Sequence, residues 1–299
     1  MTQESKSLES RRTFLKTGLV AGVLAGMGGL PLAAESKSAT DSITLGRSGV
    51  RATRLAFGTG TKGGRIQQEL GQQEFTRQVR YAYDRGIRFF ETSESYGASQ
   101  QMLGTALHGL PRDSYTLMTK VTTDDDPDPA AKLDELRRNT MTDYFDIVLL
   151  HVQEKPTWPT DSLRWQEAIL EAEQKKAILS HGASVHGLPA LRQMPGNKWL
   201  DIAMIRMNHK GVIMDTEVPD AGGLGNVDEV VAHVKQVHSE GMGVISMKLV
   251  GEGRFITRED RQAAMRFAFR NAGVDCVTLG FKNTAEIDEA IDNLNLALA

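Results

Sequence analysis

The chain has 299 residues, 40% of them hydrophobic, 24% charged and 6% aromatic, enough apolar mass for one large core and too much for a disordered polymer. Lysine and arginine number 35 against 38 acidic residues, a net charge of −3, which excludes a broad electrostatic footprint for nucleic acid. A single cysteine, Cys276, excludes an intramolecular disulfide, a four-cysteine zinc site and a cysteine-held iron–sulfur cluster, so no metal is expected and redox chemistry would need a bound organic cofactor.

Residues 1–34 stand apart from the rest. Ser10, Arg11, Arg12, Thr13, Phe14, Leu15 and Lys16 precede an uncharged, glycine- and alanine-rich stretch from Thr17 to Ala34, and Leu32, Ala33 and Ala34 offer a small-residue cleavage site. This arrangement resembles a twin-arginine signal peptide. The resemblance implies passage of the folded protein through the twin-arginine export machinery to the periplasm, a route used by proteins that load a cofactor in the cytoplasm. The alternative is an uncleaved N-terminal membrane anchor. The expected organisation is a signal peptide over 1–34, a polar linker over 35–41 and one domain over 42–299.

From Ile43 onward, short β-branched or aromatic runs alternate with amphipathic stretches, the order of parallel strands joined by crossover helices. Strands are expected over 54–57, 88–91, 115–120, 145–151, 178–184, 202–207, 243–247 and 275–279. Phe75, Val79 and Ala82 line one face of a helix that Gly86 ends, and Asn226 caps a helix striped by Val227, Val230, Val231 and Val234. Further helices are expected over 99–107, 129–139, 162–176, 188–194, 258–271 and 284–296. Eight strand–helix units in about 245 residues predict a single (β/α)8 TIM barrel. A doubly wound sheet is disfavoured because no G-x-G-x-x-G run follows the first strand.

In such a barrel the chemistry sits where strands finish. Phe89 and Phe90 lead into Glu91, Leu117 and Met118 into Thr119 and Lys120, and Ile147 to Leu150 into His151. Tyr96 and Gly97 follow on the loop after Glu91. Singly, each has a bland explanation, and His151 alone reads as a core histidine. Together they suit carbonyl reduction, in which hydride reaches carbon while a positioned acid protonates oxygen. A neighbouring ammonium is expected to lower the phenol pKa of Tyr96, with the carboxylate holding Lys120 in place and His151 orienting the carbonyl.

Here the sequence resembles the aldo-keto reductase family. The likeness runs from Leu45, Gly46, Ser48 and Gly49, similar to the family's N-terminal hairpin, through Leu55, Phe57, Gly58 and Thr59 in the first barrel strand. It continues through Gly86, Phe90, Thr92, Tyr96 and Gly97, then Thr119 and Lys120, then Leu149, Leu150 and His151. The resemblance implies Tyr96 as proton donor, Lys120, His151 and Glu91 as its catalytic partners, and a nicotinamide nucleotide, NADP or NAD, as hydride source. Gly58, Thr59, Ser184, Asn208, Lys248, Gly280, Phe281, Lys282 and Asn283 are its implied cofactor contacts. The pattern departs in five places: Glu91 replaces an aspartate, Val185 an asparagine, Met204 a glutamine, and Glu286 and Ala290 replace residues that are often basic and asparagine. Glutamate adds a methylene, so its carboxylate must fold back to reach Lys120, while Glu286 would repel a 2′-phosphate that Lys282 and Lys248 attract.

The expected function is an exported oxidoreductase acting on a small carbonyl compound or the corresponding alcohol. Two others stay open: a Schiff-base lyase or aldolase using Lys120 or Lys248, and a non-catalytic exported binding protein with an eroded cofactor pocket. His181 and His186 fall on opposite strand faces and should share no metal. The acidic run Asp124, Asp125, Asp126 and Asp128 reads as a solvated loop, residues 211–225 as a mobile flap, and Trp158 and Trp165 as packing residues.

Overall fold

The computed structural model describes residues 37–123, 128–219 and 222–299; the expected signal peptide and Asp124 to Asp126 lie outside the described residues. Eight strands close into a parallel barrel in chain order: β3 (Leu55–Gly58), β4 (Phe89–Glu91), β5 (Thr116–Val121), β6 (Phe145–Gln153), β7 (Ile178–Val185), β8 (Ile202–Arg206), β9 (Gly243–Met247) and β10 (Cys276–Leu279). Val277 beside Leu55 makes the closing pair. This is the (β/α)8 barrel that the alternation of strand and helix patterns predicts, with strand ends displaced by a residue or two. Before it, β1 (Ser42–Thr44) and β2 (Arg51–Thr53) form an antiparallel hairpin.

The helices are α1 (Arg65–Glu69), α2 (Gly71–Asp84), α3 (Ser99–Leu107), α4 (Pro129–Asn139), α5 (Trp158–Asp161), α6 (Leu163–Gln174), α7 (Leu188–Leu191), α8 (Val227–Ser239), α9 (Arg258–Arg266) and α10 (Thr284–Leu298). The expected helix over 258–271 is α9 continued by a π-helical stretch, Phe267–Ala272, which Gly273 ends at φ +77°. The expected helix over 188–194 stops at Leu191. Asn226 caps α8 by accepting from the Glu229 N–H at 3.2 Å, as its position before the valine stripe predicts.

Strand pleating separates two apolar layers. Phe57, Phe90, Leu117, Val148, Leu150 and Ala183 face outward into the helices. Ala56, Phe89, Met118, Ile147, Leu149, Ile202, Ile245 and Cys276 fill the interior. The hairpin covers the barrel's N-terminal end: Leu45, Val50 and Ala52 join the interior cluster, and a Cβ at Gly46 would fall 2.2 Å from the Gly243 nitrogen. Within the segment expected as a linker, Ala39 is fully buried, accepts from the Leu55 N–H at 3.0 Å and donates to Asn295 Oδ1 at 2.7 Å. These contacts tie residues before the hairpin to β3 and α10.

Candidate active site

Pleating also decides what reaches the barrel's C-terminal mouth. Phe89, Met118 and Leu149 point inward, so the residues two places on, Glu91, Lys120 and His151, point inward one layer higher. They lie on the adjacent strands β4, β5 and β6, with Glu91 paired to Met118 and Lys120 to Leu149 in register. Gly58, Ser184 and Thr278 reach the same layer by the same spacing from Ala56, Gly182 and Cys276.

Lys120 is fully buried and donates to Glu91 Oε1 and, at 2.8 Å, to the Thr92 carbonyl. The Glu91 Oε2 atom accepts from Thr278 Oγ1 at 3.3 Å. Its extra methylene is accommodated because β3 carries glycine: a Cβ at Gly58 would lie 2.9 Å from Glu91 Oε2 and 2.5 Å from Thr278 Oγ1. Tyr96 Oη lies 3.4 Å from His151 Nε2, the two rings crossing at 81°. His151 Nδ1 is within 2.9 Å of Ser93 Oγ and 3.0 Å of Ser95 Oγ. The four groups therefore do converge.

The expected lowering of the Tyr96 pKa is corrected by the structure. Burial raises it well above the ordinary phenol value, and the charges of Glu91 and Glu252 add to the effect. The Lys120 ammonium sits 4.7 Å from the Tyr96 ring centroid, over its face, and its charge is met by Glu91. Burial lowers the Lys120 pKa while Glu91 opposes the shift. Burial, helped by Lys120, His186 and Lys248, holds His151 well below the ordinary imidazole value. The resting set is thus a protonated phenol beside a neutral imidazole.

A groove of about 430 Å³ opens from Tyr96, Glu91, Met204 and Met247 past Lys248 and Glu252 to Gly280, Phe281, Lys282 and the α10 side chains Glu286 and Glu289. Of the expected cofactor contacts, Gly58, Lys248, Gly280, Phe281 and Lys282 line it. Others have structural duties. Asn208 donates to the Val212 carbonyl at 2.7 Å and accepts from the Val212 and Lys210 N–H groups, both at 3.1 Å, which fixes a turn. Asn283 caps α10 through the Glu286 N–H at 3.0 Å. Thr59 is fully buried, and Ser184 Oγ sits 4.0 Å from Met247 Sδ.

The groove carries a donor set that suits a nicotinamide dinucleotide. Lys62, Lys248, Lys282 and Arg261 supply positive charge along it. The fully buried Gln67 has both amide atoms unpartnered, and its Nε2 would be 2.7 Å from a Cβ at Gly280. Two of the cations already face carboxylates, Lys248 pairing with Glu252 and Arg261 with Glu289.

Sequence reasoning missed Gly60, Ser93, Ser95, Glu252 and Thr278. Ser93 and Ser95 stand between Glu91 and Tyr96, and Thr278 alternates with Cys276, so position signals existed for those three; Glu252 carries none. His181 is buried, meets the Trp199 carbonyl at 2.6 Å, and lies 3.3 Å from Glu173. It forms a group with Glu173 and Asp201, of which Asp201 is held by Arg47 at 3.1 Å. Trp158 and Trp165 are buried in the outer core. The Asp128 carboxylate of the acidic run caps α4 through the Ala131 N–H at 3.0 Å.

The aldo/keto reductase family model matches residues 54–265. A Pseudomonas aeruginosa protein assigned to the aldo-keto reductases superposes with a TM-score of 0.70 at 18% identity, covering 88% of this chain and 98% of that one. An aldo-keto reductase from Klebsiella pneumoniae, solved in complex with NADPH, superposes at 0.65 with 16% identity, covering 86% and 90%. A Glycine max protein assigned as aldo-keto reductase 1 is 34% identical over 80 residues, 26% of this chain, and the match spans 23% of that relative's length. Barrel topology, the mouth constellation and the family match over most of its length agree: this chain belongs to the aldo/keto reductase family.

Proposed function

We propose that the chain transfers hydride between a nicotinamide nucleotide and a small aldehyde, ketone or alcohol, with Tyr96 as general acid in reduction and general base in oxidation. The observation that carries this reading is the convergence of Tyr96, His151, Lys120 and Glu91 at one end of a groove with phosphate-compatible cations along it. The nucleotide, when bound, supplies the hydride. Tyr96 then gives its proton to the carbonyl oxygen, His151 contacts the phenol oxygen, and Lys120, fixed by Glu91 and Thr92, places positive charge under the ring. Its raised pKa keeps Tyr96 protonated for that role.

The lyase reading has less support, because the Lys120 amine is tied to two partners and Lys248 to Glu252. Export by the twin-arginine route to the periplasm, suggested by Arg11 and Arg12, belongs to the same proposal. A nucleotide loaded before export would travel within the groove. Purified exported protein is expected to release a nicotinamide nucleotide on denaturation, and none would be released by a binding protein with a lost pocket. Tyr96→Phe is expected to lower carbonyl reduction by about 10² or more while retaining the nucleotide; unchanged turnover would remove Tyr96 from its role.

A further inference from the structure

We propose that Ser95 and Ser93 are positioning residues whose hydroxyls hold the His151 imidazole in the tautomer protonated on Nε2, the nitrogen facing Tyr96 Oη. This rests on the assignment of Tyr96 as acid and base. Kept neutral by burial and by Lys120, His186 and Lys248, the ring must choose one of two tautomers, and the group at Nδ1 decides which. Two hydroxyls face Nδ1, at 2.9 Å from Ser93 and 3.0 Å from Ser95.

Their other partners divide the work. Ser93 Oγ donates to the Lys120 carbonyl at 3.3 Å and accepts from the Ser95 N–H at 3.3 Å. With the Ser93 proton on that carbonyl, the Ser95 hydroxyl donates into the Nδ1 lone pair. The ring proton then resides on Nε2, 3.4 Å from Tyr96 Oη.

The consequence is electrostatic. In reduction, hydride adds to the carbonyl carbon, the C=O π pair moves to oxygen, a new O–H bond forms as the Oη–H bond breaks, and Tyr96 is left as phenolate. An N–H on Nε2 stabilises that developing charge, whereas the other tautomer would aim a lone pair at it. Reprotonation from solvent resets the phenol.

The test uses the full chain labelled with ¹⁵N at histidine rings, His151 being identified by its loss in His151→Gln. Ring ¹⁵N shifts are expected to report a bare Nδ1 and a protonated Nε2. In Ser93→Ala/Ser95→Ala the proton should move to Nδ1, with kcat for reduction about tenfold lower, the usual worth of one hydrogen bond, and nucleotide affinity unchanged. Ser95→Ala alone, at an exposed position, covers the case in which the double variant does not fold, and Ser95→Thr should restore both tautomer and rate. A wild-type ring protonated on Nδ1, or a double variant that keeps the Nε2 proton, overturns the proposal. The ring spectrum is read without turnover, so absence of hydride transfer would count against the function of Tyr96 and leave the tautomer result standing.

Discussion

A Cβ added at Gly60 would lie 2.5 Å from two carbons of the Tyr96 ring and 2.7 Å from Oη. Gly60, two residues beyond the first barrel strand, therefore leaves room for the phenol. Gly60→Ala must push the ring aside, and a shift of about an ångström at a reacting group costs on the order of a hundredfold in rate. We expect that loss in kcat with thermal stability nearly unchanged; wild-type kcat in the variant would show that the ring position does not matter. The raised Tyr96 and lowered His151 pKa values make a second expectation at this scale. In the proposed reduction the phenol must be protonated and the imidazole neutral, so kcat/KM should stay flat from about pH 6.5 to about pH 10, the ordinary values of the two groups. Alcohol oxidation needs the phenolate and should still be rising at about pH 10. A fall near neutrality as the pH drops would contradict the His151 shift, and a fall there as the pH rises would contradict the Tyr96 shift. A sequence that places Lys120 beside Tyr96 predicts a lowered phenol pKa; enclosure of the ring, with the Glu91 and Glu252 charges, turns the shift the other way.

Among the elements, the segment after β8 shows how the two ends of a glycine-rich stretch are held together. Residues 211–225 read as a mobile flap in sequence. The structure pins its base: the Gly225 N–H donates to the Gly211 carbonyl at 2.8 Å, and Val212 bridges Leu224. Asp215 goes further. It is fully buried, pairs with Arg206 at the end of β8, and accepts from the Gly187 N–H at 2.7 Å ahead of α7. One carboxylate thus ties the segment to the barrel wall and to the start of α7. Truncating Asp215 leaves the buried Gly187 N–H without its acceptor, which costs about 1–3 kcal/mol. Asp215→Ala should show a loss of at least that size in chemical denaturation, and a change below about 1 kcal/mol, typical of an exposed pair, would show that this carboxylate does not hold the segment.

For the molecule as a whole, the closed barrel is what allows a neutral histidine to be stored at its mouth, and this sets a pH limit on stability. His151 binds its proton far less readily in the fold than in the unfolded chain, whose imidazole titrates near pH 6.5. Below that value the unfolded state takes up a proton that the folded state refuses, so folded stability falls as pH drops, by up to about 1.4 kcal/mol per pH unit from this group. Above about pH 6.5 neither state is protonated there and the effect vanishes. Unfolding midpoints followed from about pH 7 to pH 5 should fall less steeply in His151→Gln; parallel curves would show that the ring is free to protonate in place.

The eight-unit rhythm and the chain order of Glu91, Lys120 and His151 are legible because hydrophobic periodicity and a polar residue closing an apolar run are local properties of a strand, while the hairpin and the place of Tyr96 on its loop come from the family resemblance. Inward pointing of Glu91, Lys120 and His151 followed from that same two-residue alternation. Pairings between strands were not legible. Asn208 and Asn283 read as ligand contacts in the sequence; Asn208 fixes a turn and Asn283 caps a helix, and the turn carries no local signal, since an amide's partner depends on which backbone passes beside it. Glu252 reached the phenol from a loop distant in sequence. The tertiary structure alone decided the direction of the Tyr96 pKa, the clasp of two serines on one imidazole and the room left by Gly58 and Gly60. Each of these depends on burial and cross-strand distance, which exist only once the barrel has closed.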